Sequence, residues 1–117
     1  MFQDRLNRLR SAVPGVQAVC LVAGDGISIA SVGGDGLDLE VLSAETVAMA
    51  RGISSEQRAL GLGETLRFEV AAERSTLILN RVREGYYLLL VMEAGRPPGR
   101  ARFELLRASL SFADELS

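Results

Sequence analysis

Apolar residues recur at Phe2, Leu6, Leu9 and Val13 with polar residues between them. That spacing puts them on one stripe of a short amphipathic helix, which Pro14-Gly15 closes. Val16 to Ala23 is apolar apart from Gln17 and reads as a strand buried on both faces. Ile27 to Val32 alternates with small polar residues and reads as the returning strand. A long helix follows from Leu37 or Asp38 to Leu60, with Gly61 and Gly63 as its stop. Thr65 to Ala72 alternates, Leu66, Phe68 and Val70 on one face and Arg67 and Glu69 on the other. Ser75 to Arg83 is a fourth strand. Tyr86 to Met92 is continuously apolar and reads as a fifth, buried one. After Pro97-Pro98, a last helix spans Arg100 to Leu116, with Phe103, Leu106, Leu110 and Ala113 on the stripe expected to face the core.

The order α-β-β-α-β-β-β-α predicts an α/β chain of the α+β type, a single domain over residues 1–117. The two strands apolar on both faces belong in the middle of a five-stranded antiparallel sheet, and the alternating ones toward its edges. The expected architecture is a three-layer sandwich, with the long helix on one face and the two terminal helices on the other.

Composition narrows the chemistry. With 117 residues and 48% hydrophobic content, the chain can build one real core. A net charge of −2 gives no electrostatic reason to expect nucleic acid. No apolar stretch is long enough for a membrane span, and the N-terminus shows no secretion signal. The single cysteine, Cys20, can form no internal disulfide, and all of this suits a cytoplasmic protein. There is no His, and all 13 basic residues are Arg. A His-based triad, an imidazole metal site, a Schiff-base lysine and a Lys-dependent phosphate loop are excluded. Carboxylates, arginines and hydroxyls are the narrow set left for catalysis, and we expect no catalytic residues, no cofactor, no metal and no enzyme.

The stretch LVAGDGISIASVGGDG, Leu21 to Gly36, is the one place that resembles a ligand loop. A phosphate loop needs a lysine the chain lacks. A dinucleotide fingerprint needs a third glycine where Ile29 stands, and a helix where a strand follows. A calcium loop needs acidic residues where Ile27 and Ile29 stand. Asp25-Gly26 is instead expected to supply the positive-φ residues of a hairpin, and Asp35-Gly36 the loop before the long helix.

The segments GVQAVCLVAGDGISIAS, LEVLSAETVAMARGISSEQRALGLG and LRFEVAAERSTLILNRVREGYYLLLVMEAG, between the two terminal helices, resemble the Roadblock / dynein light chain family over nearly the whole chain. No catalytic motif defines that family. The resemblance implies an obligate homodimer that regulates or scaffolds a small Ras-like GTPase. In the bacterial, MglB-like branch the partner is an MglA-like GTPase whose hydrolysis is stimulated indirectly, by repositioning the GTPase's own groups. A dimeric scaffold subunit and a small-ligand sensor of the same shape are the alternatives.

The long helix offers three stripes. Leu39, Leu42, Met49, Ile53 and Leu60 are expected to face the sheet. Ala44, Ala48, Gly52, Ser55 and Ala59 are small, which either permits close approach of a second helix in a dimer or reflects helix propensity alone. Glu40, Val47, Arg51, Ser54 and Arg58 form the third stripe, read either as solvated surface or as the partner-binding face. Strand Thr65–Ala72 has no Pro, and Arg67 and Glu69 could pair with the same residues of a symmetry mate or simply guard an edge; the family resemblance favours pairing. Cys20 is expected in the core.

Overall fold

The computed structural model describes residues 2–116. The elements are α1 (Phe2–Ala12), β1 (Val16–Ala23), β2 (Ser28–Gly33), α2 (Leu39–Ala59), β3 (Arg67–Ala71), β4 (Ser75–Arg83), β5 (Tyr86–Glu93) and α3 (Gly99–Glu115). This is the expected order, with element ends shifted by one or two residues. All neighbouring strands are antiparallel, and the sheet runs β2-β1-β5-β4-β3. The doubly apolar strands β1 and β5 lie inside and the alternating β2 and β3 form the edges, as their patterns require.

Each face of the sheet carries its own core. Leu6 and Leu9 of α1 and Ala101, Leu105 and Phe112 of α3 pack on Val19, Leu21, Ile78 and Leu90. Val47 and Ala50 of α2 pack on Ala18, Cys20, Val22 and Leu89 on the other face. The three-layer sandwich is therefore as expected. One local detail differs. Only Gly26 takes a positive φ, +91°, in the turn of the first hairpin; no residue other than glycine does so among those described. The Gly26 N–H donates to Ala23 O at 2.8 Å, and the Asp25 carboxylate accepts from Ile27 N at 3.1 Å. The loop is thus a turn closed by one left-handed glycine rather than two positive-φ residues. A side chain at Gly26 would also meet the α2 backbone, 3.0 Å from the Ala44 Cα, so this turn seats α2.

Helix α2 starts on an N-cap, with the Asp38 carboxylate accepting from Val41 N at 3.2 Å. At its far end, Ser54 Oγ and Thr65 Oγ1 lie 2.6 Å apart and buried. Thr65 also donates to Gln57 Oε1 at 3.0 Å. These bonds fix the α2–β3 loop, and so the position of β3 relative to α2.

Candidate interaction surface

The sheet-facing side of α2 consists of Ser43, Thr46, Val47, Ala50 and Ser54. This corrects the expected core stripe. Leu39 and Leu42 are half-buried, while Met49, Ile53 and Leu60 are 42%, 41% and 75% exposed. The helix is turned so that small side chains rest on the sheet, which lets it sit close, and the larger apolar ones remain outside. The same inversion occurs in α3. Ala101, Leu105, Ser109 and Phe112 are buried, whereas Phe103, Leu106 and Leu110 of the expected core stripe are exposed and Ala113 is half-buried.

The two flanks of α2 face opposite edges of the sheet. On one, the Arg51 guanidinium donates to the Gly24 carbonyl, and Ala44 sits over Gly26, both in the β1–β2 turn. On the other, Leu42 shares an open cleft of about 390 Å³ with Val70 and Leu77. Met49, Ile53 and Leu60 follow Leu42 on that second flank about two, one and two helical turns apart, by the 3.6-residue period. Leu62 and Leu66 continue the apolar surface through the loop to β3, at 70% and 71% exposure. Beneath it, Phe68 and Val70 of β3 are only half-buried.

Strand β3 pairs with β4 alone, so its outer edge is open. Its two faces differ. Phe68 packs against the α2-side core, and Arg67 and Glu69 point to the α3 side. Arg67 is exposed. Glu69 is already engaged: both its oxygens accept from Arg102 of α3, at 2.8 and 2.6 Å. The Arg102 hydrogen bonds and charge, with Arg67 adding to the field, hold the Glu69 carboxyl below its usual range.

Of the sequence-expected partner stripe, Val47 and Ser54 are buried, at 1% and 7% exposure, and offer nothing to a partner. Their positions border the sheet, which the spacing alone did not reveal. Glu40, Arg51 and Arg58 are exposed on the same side, Arg58 paired with Glu64 at 2.8 Å. The small-residue positions Ala44, Ala48, Gly52, Ser55 and Ala59 are all exposed. Cys20 is buried, and burial pushes its thiol up, with the Ser43 hydroxyl offsetting part of the effect, so it is not a reactive thiolate. Among the described residues no group of three or more Cys, Asp or Glu could hold a metal ion, and no helix is long and apolar enough to cross a membrane.

The structure is similar to solved Roadblock/LC7 and MglB structures and, less closely, to profilins of Acanthamoeba castellanii, at a TM-score of 0.65 and 16% identity over the whole of both chains for profilin II. A Roadblock/LC7 domain from Streptomyces avermitilis matches with a TM-score of 0.89 and 16% identity, over 97% of this chain and 96% of that one. The chain has the Roadblock/LC7 fold. Within that fold, MglB of Myxococcus xanthus matches at a TM-score of 0.88 and 18% identity, covering 97% of this chain and 93% of its own. The gliding protein MglB from Thermus thermophilus matches at 0.85 and 19%, over 95% and 84%. No protein-family model matches the sequence, and no curated protein does. In this chain the exposed α2 flank and the open β3 edge lie side by side.

Proposed function

We propose that this chain is a non-catalytic, cytoplasmic homodimeric regulator that binds a small Ras-like GTPase and acts on it indirectly. The observation that carries the reading is the continuous apolar surface from Met49, Ile53 and Leu60 through Leu62 to Leu66, set against the open edge of β3. Two such edges pairing antiparallel about a two-fold axis would extend the sheet. Each copy's α2 would then cover the half-buried Phe68, Val70 and Leu77 of the other. The cleft beside Leu42 and Val70 suits an exposed leucine of the second copy. Such an interface would bury more than roughly 1,200 Å² in total.

That seam takes the apolar flank of α2, with Gly52 and Ala59 at its margin and Arg67 along the strand. Glu69 contributes through Arg102 rather than through a symmetry mate. The opposite flank and the outward ridge then remain for the GTPase: Glu40, Arg51 and Arg58, with Ala44, Ala48 and Ser55 between them. Small side chains among arginines suit a partner that packs closely and offers carboxylates. A two-fold platform engages one asymmetric GTPase with different residues of each subunit, so two copies bind one GTPase. The MglB structures support this reading by fold alone.

The test is binding of a GTP-analogue-loaded Ras-like GTPase by wild type and by Arg51→Glu/Arg58→Glu. If the arginines anchor the interface, the double variant loses a few kcal/mol of affinity while its dimer stays intact. Unchanged affinity would remove the GTPase from this face.

A further inference from the structure

The β1–β2 turn is fastened more firmly than joining two strands requires. The Gly24 N–H donates to the Gly85 carbonyl at 2.7 Å, which ties this turn to the one between β4 and β5. A side chain on Gly24 would stand 3.1 Å from the Gly85 Cα, so the two turns lie in contact. On the other side, Gly26 rests on the α2 backbone at Ala44, and the Arg51 guanidinium donates to the Gly24 carbonyl. Ile27 is held through both its backbone groups. Its N–H donates to the Asp25 carboxylate, and its carbonyl accepts from the Ala23 N–H at 2.9 Å.

What this pinned turn presents to solvent is apolar. Ile27 is 66% and Ile29 44% exposed. Val41, 55% exposed, stands one helical turn before Ala44, and Ala44 and Ala48 lie exposed between it and Arg51 along α2. A single exposed isoleucine needs no explanation. Here three β-branched side chains stand on or beside a fixed turn. Each is stiff about its first side-chain torsion, so covering it costs little conformational entropy. Strand β2 is the sheet edge opposite β3, so pairing of β3 edges leaves these residues uncovered.

We infer that the β1–β2 turn is part of the GTPase-binding face, with Ile27 as its apolar anchor and the Gly24 carbonyl positioning the Arg51 guanidinium beside it. This rests on the GTPase reading and adds to it. On α2 alone the platform offers small side chains and charges, which bury little apolar surface. Ile27 supplies the apolar contact that such a platform lacks.

The charges define the complementary surface. Arg51 spends only part of its five-donor fork on Gly24, and Asp25 and Glu40 stand exposed nearby. The fitting GTPase surface has an apolar recess for Ile27, a carboxylate for the remaining N–H groups of Arg51, and a basic side chain toward Asp25 and Glu40.

Calorimetry with a Ras-like GTPase of the same organism, loaded with a GTP analogue, tests this. Ile27→Ala should weaken binding about thirtyfold and Ile27→Asp should abolish it, with the thermal midpoint and the mass of the chain alone unchanged. Ile27→Ala combined with Arg51→Ala should lose less than the product of the two single effects, because freeing the turn already misplaces Ile27. Strictly multiplicative effects would overturn the positioning of Arg51 by Gly24. Equal binding by Ile27→Asp, with Arg51→Glu/Arg58→Glu still defective, would remove the turn from the site and leave the GTPase reading standing. A wild type that binds no such GTPase would overturn both. A lower mass of Ile27→Asp alone would assign the patch to a second copy and overturn the inference.

Discussion

Arg102 of α3 grips Glu69 of β3 through both carboxylate oxygens, at 2.8 and 2.6 Å. The bridge joins the last helix to the edge strand across 33 residues of sequence, with Glu69 largely covered and Arg102 in contact with solvent. It holds the open edge of the sheet in place on the side that α2 does not cover.

That bridge makes an acid-sensitive contribution to stability. The Glu69 carboxyl titrates lower in the folded chain than in the unfolded one, so its stabilisation is present above the ordinary carboxylate range and is lost as pH falls through the depressed value. Denaturant melts of wild type and Glu69→Gln should differ at pH 7 and converge below about pH 4. A constant difference across that range would mean that the loss is one of packing, not of charge.

The Ser54–Thr65 pair is buried and fixes the entry to β3. Removing either hydroxyl takes one buried bond from the other, although Thr65 Oγ1 keeps Gln57 Oε1 and Ser54 Oγ keeps Thr65 N as partners. Ser54→Ala and Thr65→Val should each cost about 1–2 kcal/mol. The double variant should cost less than the sum of the two, because each single variant already loses the same Ser54–Thr65 bond. Strict additivity in a urea-melt cycle would show that the 2.6 Å contact contributes nothing of its own.

Two substitutions on α2 separate its core side from its apolar flank. Val47→Asp buries a charge without a partner and should lower stability by several kcal/mol. Ile53→Asp, at an exposed position, should leave the thermal midpoint of the folded monomer nearly unchanged but halve the mass in light scattering at micromolar concentration. A dimer surviving Ile53→Asp would move the interface off this flank.

The chain alone should bind neither GTP nor ATP. It has no lysine, and its glycine-rich turn leads into a strand instead of a helix N-terminus. Calorimetry should register no heat of binding; micromolar affinity would contradict the account.

Much of the fold was legible because strand burial writes itself into composition. Val16–Ala23 and Tyr86–Glu93 are apolar on both faces and lie inside the sheet; the alternating strands form its edges. The facing of α2 and α3 was not legible, and for one reason. Periodicity ranks stripes by apolarity, and on both helices the most apolar stripe is the exposed one. Ser43, Ala50 and Ser54 are small enough for α2 to lie close on the sheet, and the Thr46 hydroxyl donates to the Leu42 carbonyl at 2.6 Å, so polar residues are tolerated there. The signal available in the sequence was that α2 carries more apolar positions than one face can bury. The Arg102–Glu69 bridge was illegible because its partners lie on elements far apart in the chain.

The most direct test of the central claim is the mass of the complex with a GTPase. Multi-angle light scattering would be run on the purified chain alone and after mixing with a small Ras-like GTPase of the same organism, loaded with a non-hydrolysable GTP analogue. The account predicts about 25 kDa alone, twice the 12.6 kDa of one chain, and a complex of two chains with one GTPase. A mass of 12.6 kDa at micromolar concentration, with the GTPase eluting separately, would contradict it.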